Sequence, residues 1–199
     1  PVPFVAVSQD GSRVAVPRGR RQVTLVSMDF GVIVSVVSGE NHPGFLSWSA
    51  DGSTLFVTRG ATEVHAFDAT TGKRLRGYVA PGNRMLGLSA RADGALLAAT
   101  SGGGWLRVTD LTSRASHLRE PLKAPPVFAQ LSDDGSTFAW RVTAESDRVR
   151  MRDLVGTDEL PSSPIHGGSD QWLGALSPRG DIFVQLDDAA KKFVYSDTT

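Results

Sequence analysis

The fold class predicted for this chain is all-β, with five small antiparallel sheets following one another along the sequence. Three observations predict it. A tight-turn signature carrying glycine returns at Gly11, Gly52, Gly94, Gly135 and Gly180, at separations of 41, 42, 41 and 45 residues. An aspartate returns in step at Asp29, Asp68, Asp110, Asp153 and Asp197, at separations of 39, 42, 43 and 44 residues. The segments between these markers are short apolar runs of strand length, and none offers the 3.6-residue periodicity of an amphipathic helix of useful length.

The first strand of each unit lies just ahead of the turn, over Phe4–Val7, Phe45–Trp48, Gly87–Ala90, Phe128–Leu131 and Leu173–Leu176. Runs this short and apolar, bounded by turn residues, suit strands covered on both faces. The turn reads Ser-x-Asp-Gly at Ser8 to Gly11, Ser49 to Gly52 and Ser132 to Gly135, with degenerate copies at Arg91 to Gly94 and Ser177 to Gly180. Asp10, Asp51, Asp93 and Asp134 supply a carboxylate that bonds nearby backbone, and the glycine takes a positive φ without steric cost. A hairpin follows from that chemistry, and its second strand is the apolar run after the turn, such as Val14-Ala15-Val16 or Leu55-Phe56-Val57.

The third strand ends at the recurring aspartate. Leu25, Val64, Leu106, Val149 and Phe193 lie four residues before it, with polar residues such as His65, Arg107 and Arg150 between, an alternation that marks a half-exposed strand. Turn residues such as Ala69-Thr70-Thr71-Gly72 then lead to a fourth, weaker strand, for example Val32–Val37 or Arg74–Tyr78.

Four short strands per repeat, with aspartate ending the third, resemble the blade of a WD-repeat β-propeller and of its divergent relatives with the Ser-x-Asp-Gly turn. The resemblance covers the whole chain, with blades over about 1–43, 44–84, 85–126, 127–169 and 170–199, the last incomplete. Met28, Phe67, Thr109, Arg152 and Ser196 stand where the Trp of the Trp-Asp pair would be, so the reading is of a divergent member. Three residues precede the first inner strand, and the sequence stops where a last outer strand would begin. The expectation is therefore part of a larger ring, of roughly six to eight blades.

Lys+Arg and Asp+Glu both number 21, so no net field draws the chain toward nucleic acid. No apolar stretch approaches the ~20 residues needed to span a bilayer. The chain reads as soluble; with no cysteine it suits either redox compartment, and the cytoplasm is the weakly favoured location.

The resemblance implies that the Ser-x-Asp-Gly and aspartate turns share one end of the blades and that the remaining loops share the other. Loops of differing composition on a rigid frame are the place to look for recognition. Candidate binding residues there are Arg18, Arg20, Arg21, His42, Arg59, Asn83, Arg84 and His166. Each has a plainer reading as a solvated loop residue. The Arg18-Gly19-Arg20-Arg21 run could grip an anion but has no interleaved aromatics, and Gly102-Gly103-Gly104 precedes a strand rather than the helix a phosphate loop needs. Arg179-Gly180-Asp181 spells an adhesion tripeptide, yet the repeat already accounts for its glycine. The four histidines show no metal-ligand spacing, and no Gly-x-Ser-x-Gly elbow is present. The axial channel of a propeller would be lined by Ala6, Ser47, Ser89, Gln130 and Ala175, a set without charge. The expectation is a non-catalytic scaffold that binds a protein or peptide without cofactor or metal. The alternative is a lactonase-like or quinoprotein-like propeller with its site at the channel mouth.

Overall fold

A computed structural model describes residues 5–18, 22–29, 33–38, 43–124, 126–142, 148–156, 159–164, 174–187 and 192–197. Nineteen strands form five antiparallel sheets among these residues, and no helix occurs there. The first sheet takes β1 (Ala6–Val7), β2 (Arg13–Arg18), β3 (Gln22–Ser27) and β4 (Ile33–Ser38) in chain order. The second takes β5 (Pro43–Trp48), β6 (Thr54–Arg59), β7 (Glu63–Asp68) and β8 (Arg74–Val79). The third takes β9 (Arg84–Ala90), β10 (Leu96–Gly102), β11 (Trp105–Asp110) and β12 (Ser116–Pro121), and the fourth β13 (Pro126–Leu131), β14 (Thr137–Val142), β15 (Arg148–Asp153) and β16 (Glu159–Pro164). The fifth has three strands, β17 (Gly174–Leu176), β18 (Ile182–Asp187) and β19 (Lys192–Asp197).

Every sheet is a meander, so each hydrogen-bonded neighbour is also the sequence neighbour, and tight turns suffice to connect the strands. Among the described residues the apolar core divides into four clusters, each filling the space between two consecutive sheets. Ala15, Val23 and Leu25 meet Trp48 and Leu55 between the first and second sheets. Phe56, Val64 and Ala66 meet Leu88, Ala90 and Leu96 between the second and third. Leu97, Leu106 and Val108 meet Leu131, Phe138 and Trp140 between the third and fourth, where the Phe138 and Trp140 rings stack at 5.4 Å. Ala139, Val149 and Met151 meet Leu176 between the fourth and fifth. Alternate residues of a strand thus serve two different interfaces, which is why Leu55 to Thr58 are all buried in succession.

Turn chemistry is repeated atom for atom. Ser8 Oγ donates to Asp10 Oδ1 at 2.6 Å and accepts the Arg13 N–H at 2.9 Å, while Asp10 Oδ1 accepts the Ser12 N–H at 3.0 Å. Ser49 with Asp51, and Ser132 with Asp134, make the same set. The Arg91 copy lacks the serine and closes differently. Its hairpin bond runs from Arg91 N–H to Ala95 O, one residue shorter than Ser8 N–H to Arg13 O, so no additional N–H awaits a serine. In the last copy the acid has moved past the glycine, and Ser177 Oγ donates to Asp181 Oδ1 at 2.6 Å. The aspartate of the adhesion-like tripeptide is therefore held inside a turn.

The third-strand aspartates cap the next turn in the same local way. Asp68 Oδ1 accepts the Thr70 and Thr71 N–H groups, Asp110 accepts from Thr112 N–H and Ser113 Oγ, and Asp153 accepts the Val155 N–H. Asp197 ends β19, whereas Asp29 stands two residues beyond the end of β3, exposed in the turn.

Candidate functional site

The two ends of the sheets differ in what their side chains are doing. At the Ser-x-Asp-Gly end, turns of neighbouring sheets bond to one another. Arg13 Nη1 donates to Gly52 O at 3.0 Å, Ser89 Oγ to Asp133 O at 2.7 Å, and Ser136 Oγ to Arg179 O at 3.0 Å. Asp10 and Asp51 are held at a pKa of about 2, chiefly by the hydroxyls of Ser8 and Ser49. Hydrogen bonds from the Thr71 N–H and hydroxyl lower Asp68. Burial works against the charge on Asp110, but the Ser113 hydroxyl and the Thr112 N–H outweigh it and its pKa is also lowered. These carboxylates are committed to turn geometry.

The opposite end is built from the hairpins joining second to third strands and from the links between sheets. The link through Ala80, Pro81, Gly82 and Asn83 is pinned between two hairpins. Ala80 N–H donates to Thr62 O and Met85 N–H to Ala61 O, while Asn83 N–H donates to Ser101 O and Thr100 Oγ1 to Pro81 O. The approach is close enough to require glycine. Gly82 has φ +143°, and a Cβ there would lie 2.8 Å from Thr100 Oγ1; one on Gly102 would lie 2.9 Å from Asn83 N.

This clamping gathers Arg59, Asn83 and Arg84 on one rim. Arg59 closes β6 opposite Glu63, and Arg84 opens β9 opposite Ser101. Asn83 and Arg84 are exposed, and Arg59 is partly so. Two groups that the sequence did not single out as binding candidates join them on the third sheet. Arg119 lies over the Trp105 ring at 4.2 Å, beside the hairpin of Gly103 and Gly104, and Leu122 N–H donates to Gly104 O, which brings the exposed Lys123 next to it. The Trp105–Arg119 pair was legible only as two residues 14 apart; its signal would have been their cross-strand placement on β11 and β12. Arg18 is exposed at the end of β2, opposite Gln22, on the corresponding hairpin of the first sheet. Arg20, Arg21, His42 and His166 lie outside the described residues.

Three positions of the expected axial ring are engaged between sheets. Ser47 and Ser89 are buried, and their hydroxyls, like the Gln130 amide, face the next sheet. Ser47 Oγ accepts the Ala90 N–H at 3.0 Å, Ser89 Oγ donates to Asp133 O, and Gln130 Oε1 accepts the Leu176 N–H at 3.2 Å. Hydrogen bonds at these three positions join each sheet to the next. His65 is buried in β7 with Nε2 3.5 Å from Glu63; burial first, then the charges of Arg74 and Arg59, lower its pKa, so it is neutral at pH 7. Among the described residues no three His, Asp or Glu side chains are grouped to hold a metal ion.

No family model matches the chain, and neither does any curated protein. Among solved structures, a chain of hydrazine synthase from Kuenenia stuttgartiensis is similar, with a TM-score of 0.67 and 21% identity over 93% of this chain. The fold is β-propeller-like. The matched region spans 55% of that solved chain, and at this identity the likeness carries the propeller-like fold and nothing of the other protein's chemistry. No helix of the described residues is long and apolar enough to cross a membrane.

Proposed function

We propose that the five sheets are propeller blades of a divergent WD-repeat kind, and that the module is a non-catalytic scaffold binding a protein or peptide through its loop end. The observation that carries this reading is the contrast between the ends. Serine and aspartate side chains at one end are consumed by turn and sheet-to-sheet hydrogen bonds, whereas the other presents Asn83, Arg84, the Trp105–Arg119 stack and Lys123 on strand ends and on the links that backbone bonds pin beside them. A guanidinium over an aromatic ring, on strands held by the sheet, suits an acidic segment of a partner, since planar donors match carboxylates and little backbone entropy is lost on binding. An axial small-ligand site has less support, because Ser47, Ser89 and Gln130 are already spent between sheets.

Charge reversal tests the reading. Affinity capture with wild type, with Arg84→Glu/Arg119→Glu, and with Asp93→Lys at the opposite end should recover the same partners for wild type and Asp93→Lys and lose them for the double variant. Equal recovery by all three would remove the loop rim as the recognition surface.

A further inference from the structure

The four internal interfaces share a rule that the first sheet leaves unfulfilled on its other side. Four residues before each turn glycine, the inner strand sends a side chain onto the preceding sheet. Trp48, Ala90, Leu131 and Leu176 hold this position, and they are 7%, 9%, 5% and 8% exposed. Each belongs to the apolar cluster shared with the sheet before it. Val7 holds the same position in the first sheet and is 57% exposed, with Val5 beside it at 55%. The cross-strand partners repeat the contrast. Leu55, Leu96 and Phe138, opposite Trp48, Ala90 and Leu131, are completely buried or nearly so, whereas Val14, opposite Val7, is only half-buried. The turns agree: a Cβ on Gly52 would touch Ser8 of the preceding turn, and one on Gly180 would meet Thr137 and Ser132, but around Gly11 nothing lies within 4 Å. Gly94, in the copy with the shortened hairpin, is open as well.

We propose that the Val5–Val7–Val14 face of the first sheet is an interface for a further sheet of the same Ser-x-Asp-Gly repeat, supplied by the same polypeptide outside these 199 residues and seated as the first sheet is seated on the second. The argument is geometric. If five sheets closed the ring, the fifth would cover Val7 as the first covers Trp48; Val7 stands open instead, in the position that every later sheet fills against its predecessor, so the occupant that matches it is one more repeat. The occupant must bring small aliphatic side chains to meet valine, as Ala15, Val23 and Leu25 meet Trp48, and a Ser-x-Asp-Gly turn to lie against Gly11. This inference rests on the packing order of the sheets and not on the binding role of the loops, so either can fail alone.

These 199 residues hold no cysteine, and any cysteine elsewhere in the full polypeptide is first replaced by serine so that single thiols report cleanly. Val7→Cys and, as an equally exposed control on the outer strand β8, Val79→Cys would be placed in the full natural polypeptide and their maleimide labelling rates compared. Burial at Val7 to the level of its four counterparts should slow its labelling at least about fivefold relative to Val79→Cys, with equal rates after denaturation. Carbene footprinting of Val5 and Val7 in the unsubstituted polypeptide gives the same readout without a variant that might fold poorly. Equal native rates and equal footprinting overturn the proposal. So does protection that appears only as concentration rises, with a doubled mass by light scattering, since the occupant is then a second copy.

Discussion

Asp10 and Asp51 each accept bonds from two serine hydroxyls and one N–H, and both have a pKa near 2 although they sit at the surface. A folded-state pKa below the ordinary carboxylate value means that ionised aspartate favours the fold. Their contribution is fully present above about pH 4 and is lost as the pH falls toward about 2. The urea midpoint should accordingly drop across that window, and Asp10→Asn/Asp51→Asn should flatten the drop without abolishing it, because Asp68 and Asp110 are lowered too. An unchanged slope in the double variant would show that these turns are equally bonded in the unfolded chain. At this scale the sequence was highly legible. The turn serine and aspartate of each Ser-x-Asp-Gly copy bond backbone within five residues of themselves, so those bonds follow from composition; the shorter hairpin where Arg91 replaces serine did not. Arg13 was not legible, since its acceptor, Gly52 O, lies 39 residues away.

Between elements, the decisive contacts are those that tie one sheet to the next. Trp48 fills the space between the first and second sheets and donates Nε1–H to Ala6 O at 3.1 Å. Trp48→Phe keeps most of the ring but leaves that carbonyl without its donor, at an expected cost of about 1–2 kcal/mol in urea unfolding. Hydrogen exchange should rise in β1 and β2 more than in β14 and β15; a uniform rise would mean that the bond does not couple those two sheets in particular. The Arg152 to Glu120 ion pair at 3.0 Å joins the fourth sheet to the third in the same manner. Strand positions and turn types were readable from periodicity, but the partner of each face was not. Ser47, Ser89 and Gln130 look like channel-lining residues in sequence, and only the direction in which the inner strand turns its side chains shows them bonding the next sheet.

Across the whole molecule, each sheet owes its burial to its immediate neighbours, and a defect should spread accordingly. Leu131→Ala removes a side chain from the cluster between the third and fourth sheets and should cost about 2–5 kcal/mol. Hydrogen exchange read by mass spectrometry should show the loss of protection concentrated in those two sheets, with the first sheet least affected. Equal loss in all five would identify a single cooperative unit instead. The sequence by itself determined the all-β class, the strand boundaries it set to within about three residues and the chemistry of the turns, because these depend on neighbours close along the chain. Only the tertiary structure decided which faces are covered, which loops share the Arg59–Asn83–Arg84 rim, and that Val7 stands open where Trp48, Ala90, Leu131 and Leu176 are buried. Those contacts join residues about one repeat apart, and the packing of one sheet on the next, not local propensity, sets which of them meet.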